Sequence, residues 1–243
     1  MQLLKNLAGR TSTLSRRALV LSLLALVALT SIASATPLAG TVVANPGDTV
    51  FPGLIPPGTA AGMLLAFLNA PYSFVTTAGV TSGHLLSAVY KNSSGTLDFY
   101  YQVQNDSTSK TAIARETDTS FVGFMTFLGF RVDGSTLAGT MFVDGTVAPV
   151  TGDRNGPPGS TVGFSFNPPD GAKVLPGLNS NVLVISTDAK NFTAGNASVI
   201  DGGTQTVASY QPSSAVPEPA SFALLGLGLL AIGGVGRKFK ARS

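Results

Sequence analysis

The sequence predicts an all-β fold, a single β-sandwich of the jelly-roll or immunoglobulin-like type, with an apolar segment near each end of the chain. Three observations predict it. Short stretches alternate apolar and polar residues, turn-forming sequences separate these stretches, and charged residues make up only 11% of the 243 residues. Alternation with a period of two is typical of half-buried strands, and short strands with turns between them are typical of sandwiches.

The first segment, residues 1–35, has the three parts of a secretory signal peptide. Met1–Arg17 carries basic residues and no acidic ones, and Ala18–Leu29 is apolar except for one serine. Ala33 and Ala35 form a small-residue cleavage site, so we expect the mature chain to begin at Thr36. The apolar core is short against the about 20 residues that span a membrane, which argues against the alternative of a retained anchor.

The body, residues 36–211, is expected to contain the strands. Thr96–Val103 and Thr161–Phe166 place apolar side chains at alternate positions, which predicts half-buried strands. Phe121–Val132 is apolar on both faces, and Asn181–Ser186 is similar, so both are expected to be central strands.

Two turn sequences predict β-hairpins in the body. Asn92–Gly95 connects a strand over Leu85–Tyr90 to the strand that begins at Leu97, and Asp201–Gly203 separates two further strands. Asp, Asn, Ser and Gly favour tight turns because they tolerate the required backbone angles or hydrogen-bond to their own backbone. The one helix expected in the body covers Ala60–Leu68.

The charge and the cysteine content exclude several classes of function. The whole chain has a net charge of +3, but the two end segments hold eight of its 15 basic residues, which leaves the body with a net charge of −4. A nucleic-acid-binding protein needs clustered basic residues that neutralise phosphates, so no nucleic-acid partner is expected. The sequence has no cysteine, which excludes disulfides and thiolate metal sites.

Few residues could carry catalysis. His84 is the single histidine, which excludes a histidine-rich zinc site and predicts a surface or edge-strand residue; no G-x-S-x-G sequence supports a catalytic triad. Several aspartates precede a glycine, which turn formation explains. Glu116 and Asp118 are expected on an exposed strand over Ala114–Asp118, and the sequence contains no EF-hand loop for Ca²⁺. We therefore expect a protein that is not an enzyme and that uses no metal or cofactor.

Tyr100 is the candidate for a ligand-binding face. It lies on the side of the Thr96–Val103 strand that is opposite to the apolar residues, so we expect its ring to reach solvent. An exposed tyrosine ring could stack on a sugar, whereas ordinary strand composition is the alternative explanation for its presence.

Residues 212–219 form a linker that contains Pro and Ser and ends in Pro217, Glu218 and Pro219. Each proline fixes its own φ angle and biases the preceding residue toward an extended conformation. The linker is therefore expected to present an open, extended backbone of the kind that a protease binds.

Residues 220–236 are uncharged, and as a helix they would extend about 25 Å, which predicts a transmembrane helix. The tail that follows, residues 237–243, contains four basic residues: Arg237, Lys238, Lys240 and Arg242. Because positive charge stays on the cytoplasmic side of a membrane, the tail is expected in the cytoplasm and the body outside it.

The Pro-Glu-Pro motif, the short apolar span and the basic tail, in this order, resemble the PEP-CTERM sorting signal. The body stretches Gly95–Asp106, Thr161–Pro168 and Asn191–Gly203 also resemble exported proteins that carry this signal. The resemblance implies recognition by an exosortase, a membrane protease-transferase of Gram-negative bacteria, after the export machinery and the inner membrane have held the chain transiently. It further implies a final location at the cell surface or in the extracellular matrix, with exopolysaccharide and biofilm as the setting.

Three functions of the body follow as hypotheses. The first is a structural or adhesive role at the surface, the second is carbohydrate binding, and the third is a secreted hydrolase. Clustered exposed aromatic residues would favour carbohydrate binding. A cleft with two carboxylates about 5–9.5 Å apart would favour a glycoside hydrolase.

Overall fold

The computed structural model of the protein describes residues 36–166 and 172–214. The predicted signal peptide with Ala33 and Ala35, the Pro217–Pro219 motif, the predicted membrane helix and the basic tail lie outside these residues. Within the described part of the chain, no helix is both long and apolar enough to cross a membrane.

The described residues form strands and one short 3-10 helix at Gly134–Thr136. In chain order the strands are β1 (Val42–Val43), β2 (Thr49–Val50), β3 (Gly53–Leu54), β4 (Met63–Thr76), β5 (Gly79–Lys91), β6 (Leu97–Asn105), β7 (Arg115–Asp118), β8 (Thr126–Arg131), β9 (Thr151–Arg154), β10 (Val162–Ser165), β11 (Val182–Thr187), β12 (Asn191–Ile200) and β13 (Thr204–Ser213). The expectation of an all-β body is thus confirmed.

These strands form two sheets in which nearly all neighbours are antiparallel. The first sheet has seven strands in the order β1-β8-β11-β6-β5-β4, and β3 pairs with β8 in parallel. The second sheet has six strands in the order β13-β12-β7-β10-β9-β2. The two sheets share one hydrophobic core, so the body is sandwich-like.

Both predicted hairpins are present. In the turn between β5 and β6, the Asn92 side-chain oxygen accepts the backbone N–H groups of Ser94 (3.0 Å) and Thr96 (3.2 Å). Gly95 has a φ angle of 80°, a conformation that glycine adopts without steric cost. β12 and β13 pair over their whole length around Asp201–Gly203.

The core between the sheets consists of inward-facing side chains at alternate strand positions. Phe99 and Tyr101 of β6 and Phe164 of β10 are fully buried there. The ring of Phe121, from the loop before β8, packs edge-on against Phe99 with 5.8 Å between the centroids. Because full burial of a large apolar side chain contributes about 1.5–3 kcal/mol, this layer supplies most of the stability of a chain without disulfides.

A second hydrophobic cluster covers the outer face of the first sheet. Tyr90, Tyr100 and Val184 lie under a layer that includes Ile55 and Leu137, both from loops. The expected exposure of Tyr100 is therefore wrong, since the residue is 0% exposed. The physical reason is that β6 is a central strand whose second face is covered by segments distant in the sequence.

Gln102 fastens this covering layer to the sheet. Its side-chain nitrogen donates to the carbonyl oxygens of Val143 and Ser180, both at 2.8 Å, and its side-chain oxygen accepts the Val143 N–H at 3.0 Å. The bond to Ser180 is buried and the two bonds to Val143 are partly buried, and an amide left unpaired away from water would cost about 1–3 kcal/mol. The polar residue thus fixes where the loop before β9 crosses the sheet.

Two element predictions differ from the structure. The helix expected over Ala60–Leu68 is wrong, because this stretch turns at Gly62, where φ is 94°, and then enters β4, which pairs with β5 along its length. Of the strand expected over Phe121–Val132, only Thr126–Arg131 is a strand, and Gly123 bends the preceding residues into a turn with a φ of 83°.

The two long edge strands lie next to each other at one side of the body. β4, 14 residues long, contains Pro71 and an irregular register between Leu64 and Ala66. β13, 10 residues long, contains Pro212. The Tyr210 hydroxyl of β13 donates to the Phe67 carbonyl oxygen of β4 at 3.3 Å, which links the two edges.

Gly83 of β5 provides a test of this packing. Tyr72 of β4 lies across it and donates its hydroxyl to the Gln104 carbonyl oxygen at 3.0 Å, so a Cβ at position 83 would overlap both groups. We expect Gly83→Ala to lower the free energy of unfolding by about 2–3 kcal/mol, measured by urea unfolding of the purified protein. Gly156→Ala is the matched control, because among the described residues nothing lies within 4 Å of its new Cβ. Equal stability of the two variants would contradict the packing described here.

Candidate functional site

A cavity of about 430 Å³ lies on the outer face of the first sheet, beside the covering loops. Its walls are the Gly58–Gly62 loop, Leu64 at the start of β4, and Thr136–Ala138 after the 3-10 helix. Tyr90 of β5 and Arg131 of β8 complete the lining from the sheet side. We call this the Arg131 cavity. Its volume falls within the range of about 300–1,000 Å³ typical of small-molecule sites.

Arg131 is 1% exposed, and its guanidinium group is only partly paired. Nε and Nη2 donate to the two carboxylate oxygens of Asp133 at 2.8 Å and 3.0 Å. Among the described residues, none accepts a hydrogen bond from Nη1. Burial disfavours the charge on Arg131, but the Asp133 carboxylate and the neighbouring Tyr100 together outweigh this and raise the pKa of the guanidinium, so Arg131 stays charged.

Asp133 connects Arg131 to the wall of the cavity. Besides accepting from Arg131, its carboxylate accepts the Gly58 N–H at 2.8 Å, and its carbonyl oxygen accepts from the Thr136 hydroxyl at 2.7 Å. The hydrogen bonds from Arg131, more than any other contact, lower the pKa of Asp133 to about 2. Asp133 is therefore ionised at neutral pH. Its hydrogen bonds connect the Gly58–Gly62 loop and the Thr136–Ala138 segment to Arg131 of the sheet.

Two tyrosines lie next to Arg131 on the sheet. The rings of Tyr90 and Tyr100 are 4.7 Å apart, and the Arg131 Cζ atom lies 6.0 Å from the centroid of the Tyr100 ring. Neither phenol hydroxyl makes a hydrogen bond within the described part of the chain. Burial raises the pKa of both phenols, so both hydroxyls keep their protons at neutral pH. Tyr90 lines the cavity, whereas Tyr100 lies beneath it.

A second cavity, of about 400 Å³, lies beside Arg154 at the end of β9. Arg154 differs from Arg131 because its three nitrogens donate to the Gly159 carbonyl (2.9 Å), the Thr126 hydroxyl (3.3 Å) and the Phe121 carbonyl (2.7 Å). Its hydrogen-bonding groups are thus used within the protein, and they hold loops in place.

Glu116 and Asp118 form a buried carboxyl pair in the core. Both lie on β7, and their neighbours across the second sheet are core residues, such as Phe164 opposite Glu116 and Val162 opposite Asp118. Their exposures are 0% and 1%, so the expectation of an exposed strand is wrong for both. The reason is that β7 is a central strand whose inward face carries the acidic residues.

Burial is the main cause that raises the pKa of both carboxyl groups, to about 7 for Glu116 and well above the ordinary value for Asp118. Their four carboxyl oxygens have no hydrogen-bond partner among the described residues, and the charge of Glu116 raises the pKa of Asp118 further. Tyr101 lies beside Asp118, but its hydroxyl donates a hydrogen bond to the Tyr210 carbonyl oxygen at 2.8 Å. The pair therefore carries at least one proton in the folded protein near neutral pH.

The carboxyl pair does not resemble the two acids of a glycoside hydrolase in its placement. A hydrolase needs its acids in a cleft that substrate and water reach. Of the two cavities that the described residues form at Arg131 and Arg154, neither is lined by Glu116 or Asp118.

His84 lies on β5 and is half-buried. Its Nδ1 atom and the Asn69 side-chain oxygen of β4 are 2.6 Å apart, so the ring takes part in a cross-strand hydrogen bond. Within residues 36–166 and 172–214, no group of three or more His, Cys, Asp or Glu side chains could hold a metal ion.

The sequence did not single out Arg131, Asp133 or Tyr90 as site residues. One signal was available: Arg131 follows a run of apolar residues, and a charged side chain in such a run needs a partner. Its partner Asp133 was instead explained by turn formation in Asp133-Gly134.

The described residues thus form an all-β body with a cavity on the outer face of the first sheet, where Arg131 and Tyr90 are the polar residues that the sheet contributes. Comparison with known protein families then adds the C-terminal segment: residues 215–238 match the family described as the PEP-CTERM protein-sorting motif. The chain thus carries the sorting motif that its sequence suggested, as a PEP-CTERM exosortase substrate does. No curated protein and no solved structure matches the chain significantly.

The buried carboxyl pair determines how stability depends on pH. A carboxyl group whose pKa is higher in the folded chain than in the unfolded chain binds more protons when folded. Its contribution is therefore complete below the unfolded pKa and is lost as the pH rises toward the folded pKa. For Glu116 this window runs from 4.5 to about 7. Asp98, whose pKa burial raises to about 6, acts in the same direction.

The wild type should lose free energy of unfolding between about pH 5 and about pH 7.5. We expect Glu116→Gln to make this loss smaller by on the order of 2 kcal/mol, because a neutral amide has no charge to bury. Urea unfolding at both pH values measures this loss. Asp48→Asn, in a half-buried turn, is the control and should behave as the wild type. If Glu116→Gln and the wild type lost the same stability over this range, the pair would not be the cause.

Proposed function

We propose that this protein is exported, cut by an exosortase near Pro217–Pro219, and released to the cell surface or extracellular matrix, where its body has a structural or adhesive role. The PEP-CTERM motif at residues 215–238 supports the exosortase as partner and the passage through the membrane. The last strand, β13, ends at Ser213, just before the motif. Cleavage within the motif would therefore leave every strand of the body in place.

Two end segments would act in succession in this proposal. The signal peptide, residues 1–35, starts translocation through the export machinery and is removed. The apolar stretch 220–236 then stops the chain in the inner membrane, with the basic tail in the cytoplasm and the Pro-Glu-Pro motif outside. The body itself would act by binding and not by catalysis, and exopolysaccharide of a biofilm is its proposed surroundings.

Carbohydrate binding is a second candidate function of the body. The Arg131 cavity favours it, because this cavity combines aliphatic walls with polar groups that have unused hydrogen-bonding capacity. Tyr100, by contrast, does not support it, since its ring lies under the covering loops.

The mature N-terminus tests the first step of export. If the signal peptide is cleaved after Ala35, mass spectrometry of the exported protein should find Thr36 as its first residue. A mature protein that still begins at Met1 would contradict the signal-peptide interpretation.

The sorting step is tested by replacing Pro217, Glu218 and Pro219 with alanine. One epitope is placed before Val216 and a second after Arg242, and both are followed by cell fractionation. In the wild type the first epitope should reach the surface without the second. The variant should keep both epitopes together in the inner membrane, because the span is intact but the recognised peptide is absent.

The control for this experiment changes Ser214, which lies just before the matched residues 215–238, to alanine, and it should be cut as the wild type is. If both epitopes of the wild type arrive together at the surface, the segment is a simple anchor and the sorting proposal is wrong.

A further inference from the structure

We propose that the Arg131 cavity is a binding site for a neutral, polyhydroxylated ring, namely one neutral pyranose unit, held over Tyr90 and Arg131. The inference rests on the second candidate function, binding by the body, and is independent of how the protein is sorted. The inference places carbohydrate binding at the Arg131 cavity. The sorting motif does not identify this site, and neither does Tyr100, the tyrosine that the sequence suggested.

Unused hydrogen-bonding capacity is the first argument. Arg131 and Tyr90 line the cavity. Their Nη1 and hydroxyl atoms are buried and have no hydrogen-bond partner among the described residues, although the Thr140 side chain lies close enough to the Tyr90 hydroxyl to offset part of the rise in its pKa. An unpaired buried polar group costs about 1–3 kcal/mol, so a ligand oxygen that reaches these groups recovers that free energy. Arg154 shows the contrast, because there each of the three side-chain nitrogens donates a hydrogen bond within the protein.

The balance of donors and acceptors is the second argument. Arg131 Nη1 can only donate, whereas the hydroxyls of Thr59 and Thr136 already donate to the carbonyls of Pro56 and Asp133, both at 2.7 Å, and keep free lone pairs. The cavity therefore presents donors and acceptors side by side. A ligand hydroxyl satisfies both, whereas a carbonyl group would use only the donors.

Charge is the third argument. The carboxylate of Asp133 accepts two hydrogen bonds from the guanidinium of Arg131 and neutralises its positive charge. The guanidinium keeps N–H groups that this pair does not use. Asp144 adds a second carboxylate nearby, where it accepts the Ser135 N–H and hydroxyl at 2.9 Å and 2.7 Å. An anionic ligand would be repelled by these carboxylates, which favours a neutral one.

Shape and access complete the argument. Leu64, Leu137 and the alanines of the two walls give an apolar surface that fits the C–H face of a sugar ring. Arg131 Nη1 and the Tyr90 hydroxyl are shielded from water, so direct contact with a ligand requires the Thr136–Ala138 wall to move outward and uncover them. The backbone hydrogen bonds of this wall are local, from Leu137 N–H to Gly134 and from Ala138 N–H to Thr136, both at 3.0 Å, whereas the buried Leu137 side chain and the Thr136 hydroxyl connect it to the body.

The test uses the purified full-length protein in a detergent without a sugar headgroup. Saturation-transfer NMR measures the binding of methyl β-glucopyranoside, methyl β-galactopyranoside and, as the anionic comparison, glucuronate. We expect transfer to at least one neutral pyranoside, and a weaker or absent signal for glucuronate.

Tyr90→Phe and Tyr100→Phe form a matched pair of variants. Each removes one buried hydroxyl that has no partner among the described residues, so both should fold as the wild type does, which thermal unfolding verifies. Only Tyr90 lines the cavity, so Tyr90→Phe should weaken pyranoside binding about fivefold, whereas Tyr100→Phe should leave it unchanged.

The possible outcomes separate the site from the function. Pyranoside binding that Tyr90→Phe leaves unchanged, or that both variants weaken equally, would overturn the site while carbohydrate binding elsewhere survives. Binding of glucuronate alone would overturn the neutral ligand class. Absence of binding by every probe would overturn both the site and the second candidate function, and would leave the sorting proposal untouched.

Discussion

Coverage of both faces of the first sheet is the constraint on which the rest of this structure depends. β6 and β11 face the core on one side and the covering loops on the other, so most polar residues on these strands are buried, where a hydrogen-bond partner avoids the cost of an unpaired group. Gln102 finds one in the backbone of the covering loops and thereby fixes their position. The Arg131–Asp133 pair likewise fixes the position of the Gly58–Gly62 loop, because the Asp133 carboxylate accepts the Gly58 N–H. The cavity lies beside Arg131, between the walls that this pair holds, and Nη1 is left without a partner among the described residues.

The buried polar groups of the second sheet include the carboxyl groups of Glu116 and Asp118, which are stabilised in a different way. Among the described residues, no basic side chain forms an ion pair with Glu116 or Asp118, and at least one of the two keeps its proton, whereas Asp133 loses its proton because Arg131 donates to it. Carboxyl groups of the same chemical type thus have opposite pKa shifts in one small body. The difference follows from the donors within reach, since Arg115 points outward to Asp153 and only weakly favours the charged form of Glu116.

Local chemistry in the sequence predicted the elements that depend on local contacts. The hairpins at Asn92–Gly95 and Asp201–Gly203 were predictable because the turn residues themselves supply the hydrogen bonds and backbone angles. The exposure of Tyr100, Glu116 and Asp118 was not, because alternation in a strand shows that two faces differ but not what covers each face. The stretch Ala60–Leu68 illustrates the same limit: its apolar residues suit a helix, but β5 provides a ladder of backbone partners that no local signal reveals. The Arg131 cavity combines two loops with residues of β4, β5 and β8 that are distant in the sequence, so it too required the fold.

The two long edge strands bear on whether copies of this protein can pair edge to edge. A free strand edge is a template for pairing with another chain, and proline and register irregularities are the means by which natural sheets prevent such pairing. β4 has both, β13 has a proline, and Tyr210 bridges the two. Pairing of neighbouring copies through β4 or β13 is therefore hindered, and contacts between copies at this side of the body would be made by side chains.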